Sequence, residues 1–552
     1  MLKTVVIMNL WRMSMLLLLF LGISGYAIAQ NYISLHTDKS FYVVGERIWF
    51  SAYLTSESGK PISSGDLSIS LFHESGEELL TALFPIKDGQ VAGDVYLEES
   101  LPVGNYLFSM SSLAIKPNEM YAQHVILPVL HPSLMETLQL PESVWPSLLV
   151  QELPTETPNV TVDMGVESLS PRKMINVSLG SPQLKGRKVS VAIRHLNQTG
   201  LSEIQQLAGT FTPTSSSYPY SPDSWNLQAG LTKAGGGILP DMVNVYWAEQ
   251  DTQMLSKVTD GSFSLSLPKR SGVQHFQVLD ASPFPDHNFQ VAWEQQGKER
   301  ISLPPIPPMG ELSEEQKSYL YWFQRRKLVE RLFQFNLVSP AEEEGTTLVR
   351  PKADKSYSSQ KYLAFKDLEA FIREVLSPAV KVVSTGRQKT IRMLNFDSRV
   401  RFTQPPLVFL DGYLMEDVSQ VWEVNWNNVD RLELFGSHET IFPYFGPMGQ
   451  GRGVIRLFTK GRQNFEGKIS YLPISSLEAY SPPHTFQLPN NELAKPDLRP
   501  VLFWDGSLLM DKEGQAEISF PHSDLKGQFL IEVKGLQEDG TFFTAFYPYE
   551  LD

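Results

Sequence analysis

GQGRGVIRLFTK, residues Gly449–Lys460, decides between two folds. Closely spaced glycines ahead of apolar residues are how a dinucleotide loop begins. Such a loop runs from a strand into a helix whose N-terminus carries the phosphate. In VIRLFTK, however, Ile455 and Leu457 alternate with Arg456 and Phe458, the period of two of a strand. Gly449, Gly451 and Gly453 are therefore expected to form a turn that needs glycine conformations, and a phosphate cradle is set aside. Upstream, PLVFLDGYL (Pro406–Leu414) reads the same way. Leu407–Leu410 is a buried strand, and Asp411-Gly412 is a hairpin turn because both residues tolerate positive φ. A catalytic role for Asp411 has no second residue to support it.

The composition agrees with a β-rich chain. Among 552 residues, 42% are hydrophobic, 20% charged and 11% aromatic, with 38 prolines and 37 glycines to supply turns. That balance is globular, not disordered. The formal charge of −14 argues against nucleic acid, which calls for a basic surface. With no cysteine, disulfides, thiolate metal sites, a thiol nucleophile and lipid attachment at an N-terminal Cys are all excluded. The ten histidines show no metal-ligand spacing, and His36 and His438, the two nearest to interest, read as structural. Glu416 and Asp417 are neighbours in a polar loop and do not form an acid–base pair. No Gly-x-Ser-x-Gly elbow, His-Glu-x-x-His pair or Walker-type loop occurs. No catalytic, cofactor-binding or metal-binding residue is assigned, and the chain is expected not to be an enzyme.

Residues 1–29 read as a signal peptide. Lys3 and Arg12 precede an apolar core at Met13–Ile23, and Ala27-Ile28-Ala29 is a small-x-small cleavage site before Gln30. The core is short of the roughly 20 residues of a spanning helix, and no transmembrane helix is expected after cleavage. Residues 30–130 read as a β-sandwich. In IWFSAYL, Ile48, Phe50, Ala52 and Leu54 alternate with polar or amphipathic residues, and Leu67, Ile69 and Leu71 share one face of DLSISLF. Residues 131–160 look like a linker, and 161–303 like a second sandwich region containing KVSVAIRH (Lys188–His195). Gly209–Pro222 is expected as a loop inside it, and PPIPP (Pro304–Pro308) as a spacer. In the helical connector 304–350, Ser313-Glu314-Glu315-Gln316 is a capping box. Tyr319, Trp322, Phe323, Val329 and Phe333 follow at helical spacing. A second helix is expected at Lys366–Leu376, inside a domain at 351–465, with a closing β-domain at 466–552.

Two families are resembled. PPLVFLDGYLMED, VNWNNVDRLELFGS and YFGPMGQGRGVIRLFTKG resemble the plug domain of TonB-dependent outer-membrane receptors. The matching positions are Asp411-Gly412, Leu432-Glu433-Leu434, Tyr444 to Gly449 and Gly453-Val454-Ile455. NYISLHTDKSFYVVGERIWFSAYL resembles a macroglobulin-type domain through His36-Thr37-Asp38-Lys39, Tyr42, Gly45-Glu46 and Trp49-Phe50. PDLRPVLFWDG and DKEGQAEISFPHSDLKGQFLIEVKG are similar to a closing β-domain of the same envelope proteins. A receptor barrel of about 22 strands would need roughly 200 residues or more, and about 90 follow Arg462. The covalent protease trap of macroglobulins needs a cysteine that is absent here.

The resemblances imply a mainly β, multidomain protein of macroglobulin- or Ig-like sandwiches and a small α+β plug-like domain. It is expected to be exported to the periplasm or outer membrane and to dock an outer-membrane or periplasmic protein. The alternatives are a carbohydrate- or peptide-binding accessory of nutrient uptake and a non-covalent protease-binding macroglobulin relative. Phe442, Tyr444 and Phe445, in the loop before the glycines, are the candidate partner contacts. Asp411, Gly412, Gly446, Gly449, Gly451 and Gly453 are read as structural turns. Arg431, Glu433 and Arg456 are placed on outward, water-facing strand positions.

Overall fold

A computed structural model describes residues 31–116, 118–136, 160–165, 170–199, 205–213, 221–233, 236–295, 302–333, 338–340, 349–362, 365, 367–385, 388–461, 469–489 and 496–551. The expected signal peptide lies outside the described residues, as does most of the expected linker. The chain is mainly β and multidomain, and divides into two compact units.

The first unit comprises residues 1–222, 299–341 and 483–552 and holds two sandwiches. In the N-terminal one, a nine-stranded sheet is joined between Glu78–Lys87 and Gln90–Tyr96 by a single residue pair, Lys87 with Gln90. The sheet therefore folds over on itself. Phe50 and Val95 from one half share a core with Leu67, Ile69, Phe108 and Val125 from the other. The expected inward set Ile48, Phe50, Ala52 and Leu54 is buried, but so are Trp49, Ser51 and Tyr53. The reason is a second covering: Trp49 packs with Ala192 and Trp504, and Tyr53 Oη donates to the Lys534 carbonyl at 2.7 Å.

That covering is the second sandwich, and its composition differs from the expected boundaries. Met174–Gly180 pairs with Gln515–Pro521, and Lys188–His195 lies between Val501–Leu509 and Gly527–Leu536. The closing β-domain is thus completed by strands about 340 residues earlier, and 161–303 is not one sandwich. Gln205–Pro213 joins the N-terminal sheet beside Glu119–Leu130, so Gly209–Pro213 is strand where a loop was expected. Short-range patterns carry no information on such distant pairings. PPIPP is an extended segment docked on the N-terminal sandwich, with Leu303 and Ile306 against Phe72, Leu107 and Ile126. The helix Glu314–Phe333 follows. Its capping box is made reciprocally: Gln316 N–H donates to Ser313 Oγ at 3.3 Å, and Ser313 N–H to Gln316 Oε1 at 2.9 Å. Tyr319, Leu320 and Phe323 bury one face against Phe41, Val43 and Leu130.

The second unit comprises residues 223–298 and 342–482. A sandwich of three- and four-stranded sheets borrows Ile474–Glu478 as an edge strand and is centred on Trp225, Trp247 and Phe276. Beside it, a five-stranded sheet carries Val454–Thr459 between Val429–Phe435, antiparallel, and Leu407–Leu410, parallel. These three strands fall at the expected positions. The expected helix Lys366–Leu376 is shorter, an α-turn at Leu368–Phe371 continuing as a π-turn to Leu376, with Asp367 capping Ala370 N–H at 2.8 Å.

Arg456 corrects the outward placement. It sits on the central strand and is only 1% exposed. Its guanidinium pairs with Asp251 of the adjoining sandwich and lies 3.6 Å from Glu433, which also meets Arg431 at 2.9 Å. The polar positions of this strand face a second layer of protein within the same unit, not water. Burial raises the Glu433 carboxyl above its ordinary range despite the pull of Arg456 and Arg431.

Candidate functional site

Asp38 and Lys39 follow the strand Ile33–Thr37, and Glu46 follows Gly45, whose φ of 82° turns the chain into Arg47–Leu54. Tyr319 and Arg326, two turns apart on one face of the helix, close over them. Lys39 Nζ lies 2.9 Å from Glu46 and donates to Tyr319 Oη at 2.9 Å, while Tyr319 donates in turn to Glu46. The Arg326 guanidinium lies 4.0 Å from the Tyr319 ring centroid. Burial alone would lower the Lys39 pKa, but Glu46, Tyr319 and Asp38 hold it above the ordinary value. Burial would raise Glu46, yet Lys39 and Arg326 bring it below the ordinary carboxylate range. This buried salt-bridge network fixes the helix to the sandwich.

Asp38 behaves differently. It accepts from Tyr42 Oη at 2.6 Å and Trp49 N–H at 3.1 Å, but burial outweighs these and Lys39, raising its pKa to about 6. A carboxyl whose folded pKa exceeds its unfolded value contributes stability below the unfolded pKa, lost as pH rises through the folded one. Asp38 should therefore remove up to about 3 kcal/mol of stability between pH 4 and 6. Asp38→Asn is expected to flatten that part of the stability–pH curve, as measured by denaturant unfolding at successive pH values.

This network lines one side of a cleft of about 290 Å³, near the lower end for ligand sites. Trp49, Tyr96 and Phe486 line it together with Arg47, Lys327 and Arg499. Phe486 meets Trp49 edge-on at 5.8 Å, and the Arg47 guanidinium lies 5.3 Å from the Tyr96 ring centroid. Arg47 pairs with Asp94, which also binds His484 at 2.9 Å, and Arg499 pairs with Asp497 at 2.8 Å. Tyr96 opens the cleft to solvent at 38% exposure.

His36 stands in a different arrangement. Its Nδ1 is 2.6 Å from Ser190 Oγ and its Nε2 is 3.6 Å from Glu532. The residue types are those of a nucleophile, base and carboxylate. Ser190, His36 and Glu532 are 0%, 2% and 8% exposed, sealed between the two sandwiches. Ser190 Oγ also lies 2.9 Å from Tyr53 Oη. Burial would raise Glu532, but Arg194, His36 and Lys534 carry it down to about 2, while burial lowers the His36 pKa. The group joins two sheets, and all three side chains are buried among the described residues.

The residues read from sequence as partner contacts fall on a helix, His438–Phe445, not a loop. Its N-terminus is capped from a distance: Asp354 accepts from Gly436, Ser437 and Thr440, and Asp397 from the His438 N–H. Phe445 is fully buried in the core, and Tyr444 packs against that core with its carbonyl accepting from Asn244. Phe442 alone of the three is exposed, stacked on His438 at 5.3 Å. Phe442→Ala is expected to change stability by less than about 0.5 kcal/mol, and Phe445→Leu to cost about 1–2 kcal/mol. Thermal unfolding of the two variants would check both.

Asp411 and Gly412 make a turn with φ of 50° and 92°. The Asp411 carboxylate accepts from Thr459 N–H at 2.7 Å and Thr459 Oγ1 at 2.6 Å, tying two strands. Gly412 lies directly beneath the Tyr246 ring, where any Cβ would collide with it. Gly446 and Gly453 have positive φ, but Gly451 is right-handed helical and Gly449 is also outside the positive range. Gly449 and Gly451 therefore correct the expectation of glycine-only conformations. Gly449 needs its hydrogen for space, since a Cβ would lie 2.7 Å from Ile441. Sequence reasoning missed Lys39, Tyr319 and Arg326 as one cluster. The signal was present in charged Asp38, Lys39 and Glu46 interrupting an otherwise apolar strand region.

The sequence matches no family model and no curated protein. Among solved structures it aligns with Salmonella alpha-2-macroglobulin reacted with methylamine, at 9% identity and TM-score 0.24, over 94% of this chain and 39% of that one. Native Escherichia coli alpha-2-macroglobulin aligns at 9% identity and TM-score 0.26, over 95% and 40%. A DUF4785 family protein from Legionella pneumophila aligns at 10% identity and TM-score 0.16, over 45% and 51%. The chain spans about two fifths of the length of the macroglobulins it aligns with.

Proposed function

We propose that this chain is an exported, non-enzymatic protein of a Gram-negative envelope that docks a polypeptide partner, its sandwiches serving as spacers. The observation that carries the reading is the cleft, where Trp49, Tyr96, Phe486 and Arg47 converge at an opening to solvent. Tyr, Trp and Arg are the residues that anchor protein interfaces when they line a pocket. The sealing of Ser190, His36 and Glu532 between sheets adds support, because the arrangement closest to a hydrolase is buried among the described residues. The likeness of Asp411-Gly412 and Tyr444 to Gly449 to receptor plug domains suggests an outer-membrane partner. Among the described residues no helix is long and apolar enough to cross a membrane.

Export predicts a mature N-terminus at Gln30, and mass spectrometry of the envelope-purified protein should find it, open or cyclised. An intact Met1 start would oppose it. Docking is tested by cross-linking the tagged full chain in cells before solubilisation, with one polypeptide expected to be recovered. Turnover of a substrate, abolished by Ser190→Ala in a protein that still folds, would replace docking with catalysis. The same aromatic walls also favour a carbohydrate- or peptide-binding accessory. Native mass spectrometry would support that second reading by showing a small ligand retained on the purified chain.

A further inference from the structure

We infer that two copies of this chain pair edge to edge through the strand Phe542–Leu551, joining their four-stranded sheets across a twofold axis. The inference goes beyond the docking reading above and does not depend on it. Phe542–Leu551 is the last strand of its sheet, and among the described residues it pairs with Gly527–Leu536 alone. Its ten residues keep one unbroken register and carry a single charge, Glu550. The opposite edge of the sheet, Val501–Leu509, is blunted by two register shifts and by Asp505. Short length, charge, proline and bulges are how proteins keep open edges from pairing. Phe542–Leu551 has none of them before Pro548.

The ladder fixes which backbone groups are free. His195 N–H donates to the Pro500 carbonyl at 2.7 Å, on the Val501–Leu509 side of Lys188–His195. Backbone groups alternate along a strand, so those of Ser190, Ala192 and Arg194 face Gly527–Leu536, where they meet Lys534, Glu532 and Leu530. Phe529, Ile531, Val533 and Gly535 then face Phe542–Leu551 and bond Tyr549, Tyr547, Ala545 and Phe543. The N–H and C=O groups of Phe542, Thr544 and Phe546 are left pointing outward. Pro548 falls in the same outward set, where a missing N–H costs the ladder nothing. The three outward residues read Phe-Thr-Phe from either end. An antiparallel copy centred on Thr544 therefore sets Phe542 against the partner's Phe546 and Thr544 against its own counterpart. Each such pair exchanges two backbone hydrogen bonds, and aromatic and Thr–Thr pairs are favoured neighbours across strands. The three side chains are half-buried, on the sheet face opposite the core side chains Phe543, Ala545 and Leu551. One patch serves both copies, as a twofold interface requires.

The test is sedimentation velocity of the purified full chain from about 1 to 100 µM. A reversible monomer–dimer equilibrium is expected. Thr544→Lys and Thr544→Glu should each weaken it about tenfold, because the twofold axis places like charges directly opposite. Mixing the two variants should restore the dimer, an outcome specific to Thr544 facing its own copy. In the parent, amide exchange of Phe542, Thr544 and Phe546 should slow as concentration rises, a reading that needs no variant. The inference is overturned by a parent that stays monomeric throughout, by variants that dimerise as the parent does, or by a mixture no more dimeric than its components. Exchange across Phe542–Phe546 that ignores concentration would overturn it equally, since the copies would then meet elsewhere. A monomeric parent removes this inference and leaves docking, read by cross-linking in cells, standing.

Discussion

Arg456→Leu is expected to destabilise the second unit by about 3–5 kcal/mol. The substitution removes a cation that is 1% exposed and leaves Asp251 and Glu433, with side chains 10% and 13% exposed, facing each other without it. Breaking a buried pair costs more than the pair contributes, because Asp251 loses its guanidinium partner and Glu433 keeps only Arg431. Glu433 is already raised by burial, so losing Arg456 pushes it further in that direction. Amide exchange in Val454–Thr459 and Val429–Phe435 should accelerate at least roughly 100-fold if those strands exchange by opening of this unit. Arg456→Leu combined with Asp251→Leu should recover part of the loss, since no uncompensated charge then faces the strand from that side. A cost below about 1 kcal/mol would mean that the strand faces water.

Lys39→Met should have an effect of similar size in the first unit, about 3–5 kcal/mol. Methionine keeps most of the side-chain volume and removes the ammonium that lies 2.9 Å from both Glu46 and Tyr319 Oη. Glu46 is then left with Arg326 and the Tyr319 hydroxyl, and its carboxyl should rise from the depressed range. A carboxyl with lowered folded pKa contributes stability above its unfolded pKa, lost as pH falls through the folded one. The variant should therefore lose less stability than the parent on acidification below the ordinary Glu range. Amide exchange should quicken in Glu314–Phe333, because this network and the Tyr319, Leu320 and Phe323 face are what hold the helix. Unchanged protection of the helix would show that the apolar face alone holds it.

Both effects fall where the sequence was least legible. Alternation identifies Val454–Thr459, and an apolar run ending at Asp-Gly identifies Leu407–Leu410, because both signals are written in adjacent residues. The capping box at Ser313–Gln316 was legible for the same reason. The pairing of Met174–Gly180 with Gln515–Pro521 was not, since hydrogen bonds between distant segments leave no local pattern. Arg456 was read as water-facing because charge at an alternating position is the usual mark of an exposed face, and here that face is covered by Asp251. His438–Phe445 was read as a loop because its cap comes from Asp354 and Asp397 and it contains Pro443. In the cleft, Asp38, Lys39 and Glu46 are local and visible, whereas Tyr319 arrives from about 270 residues away.

The docking claim is tested most directly by placing a photoactivatable benzoylphenylalanine at Tyr96 and, separately, at exposed Val400, followed by irradiation in intact cells. The account predicts one discrete conjugate between this chain and a polypeptide from position 96, absent from position 400 and lost when Lys327→Glu is added. No conjugate from position 96, or the same conjugate from both positions, would contradict it.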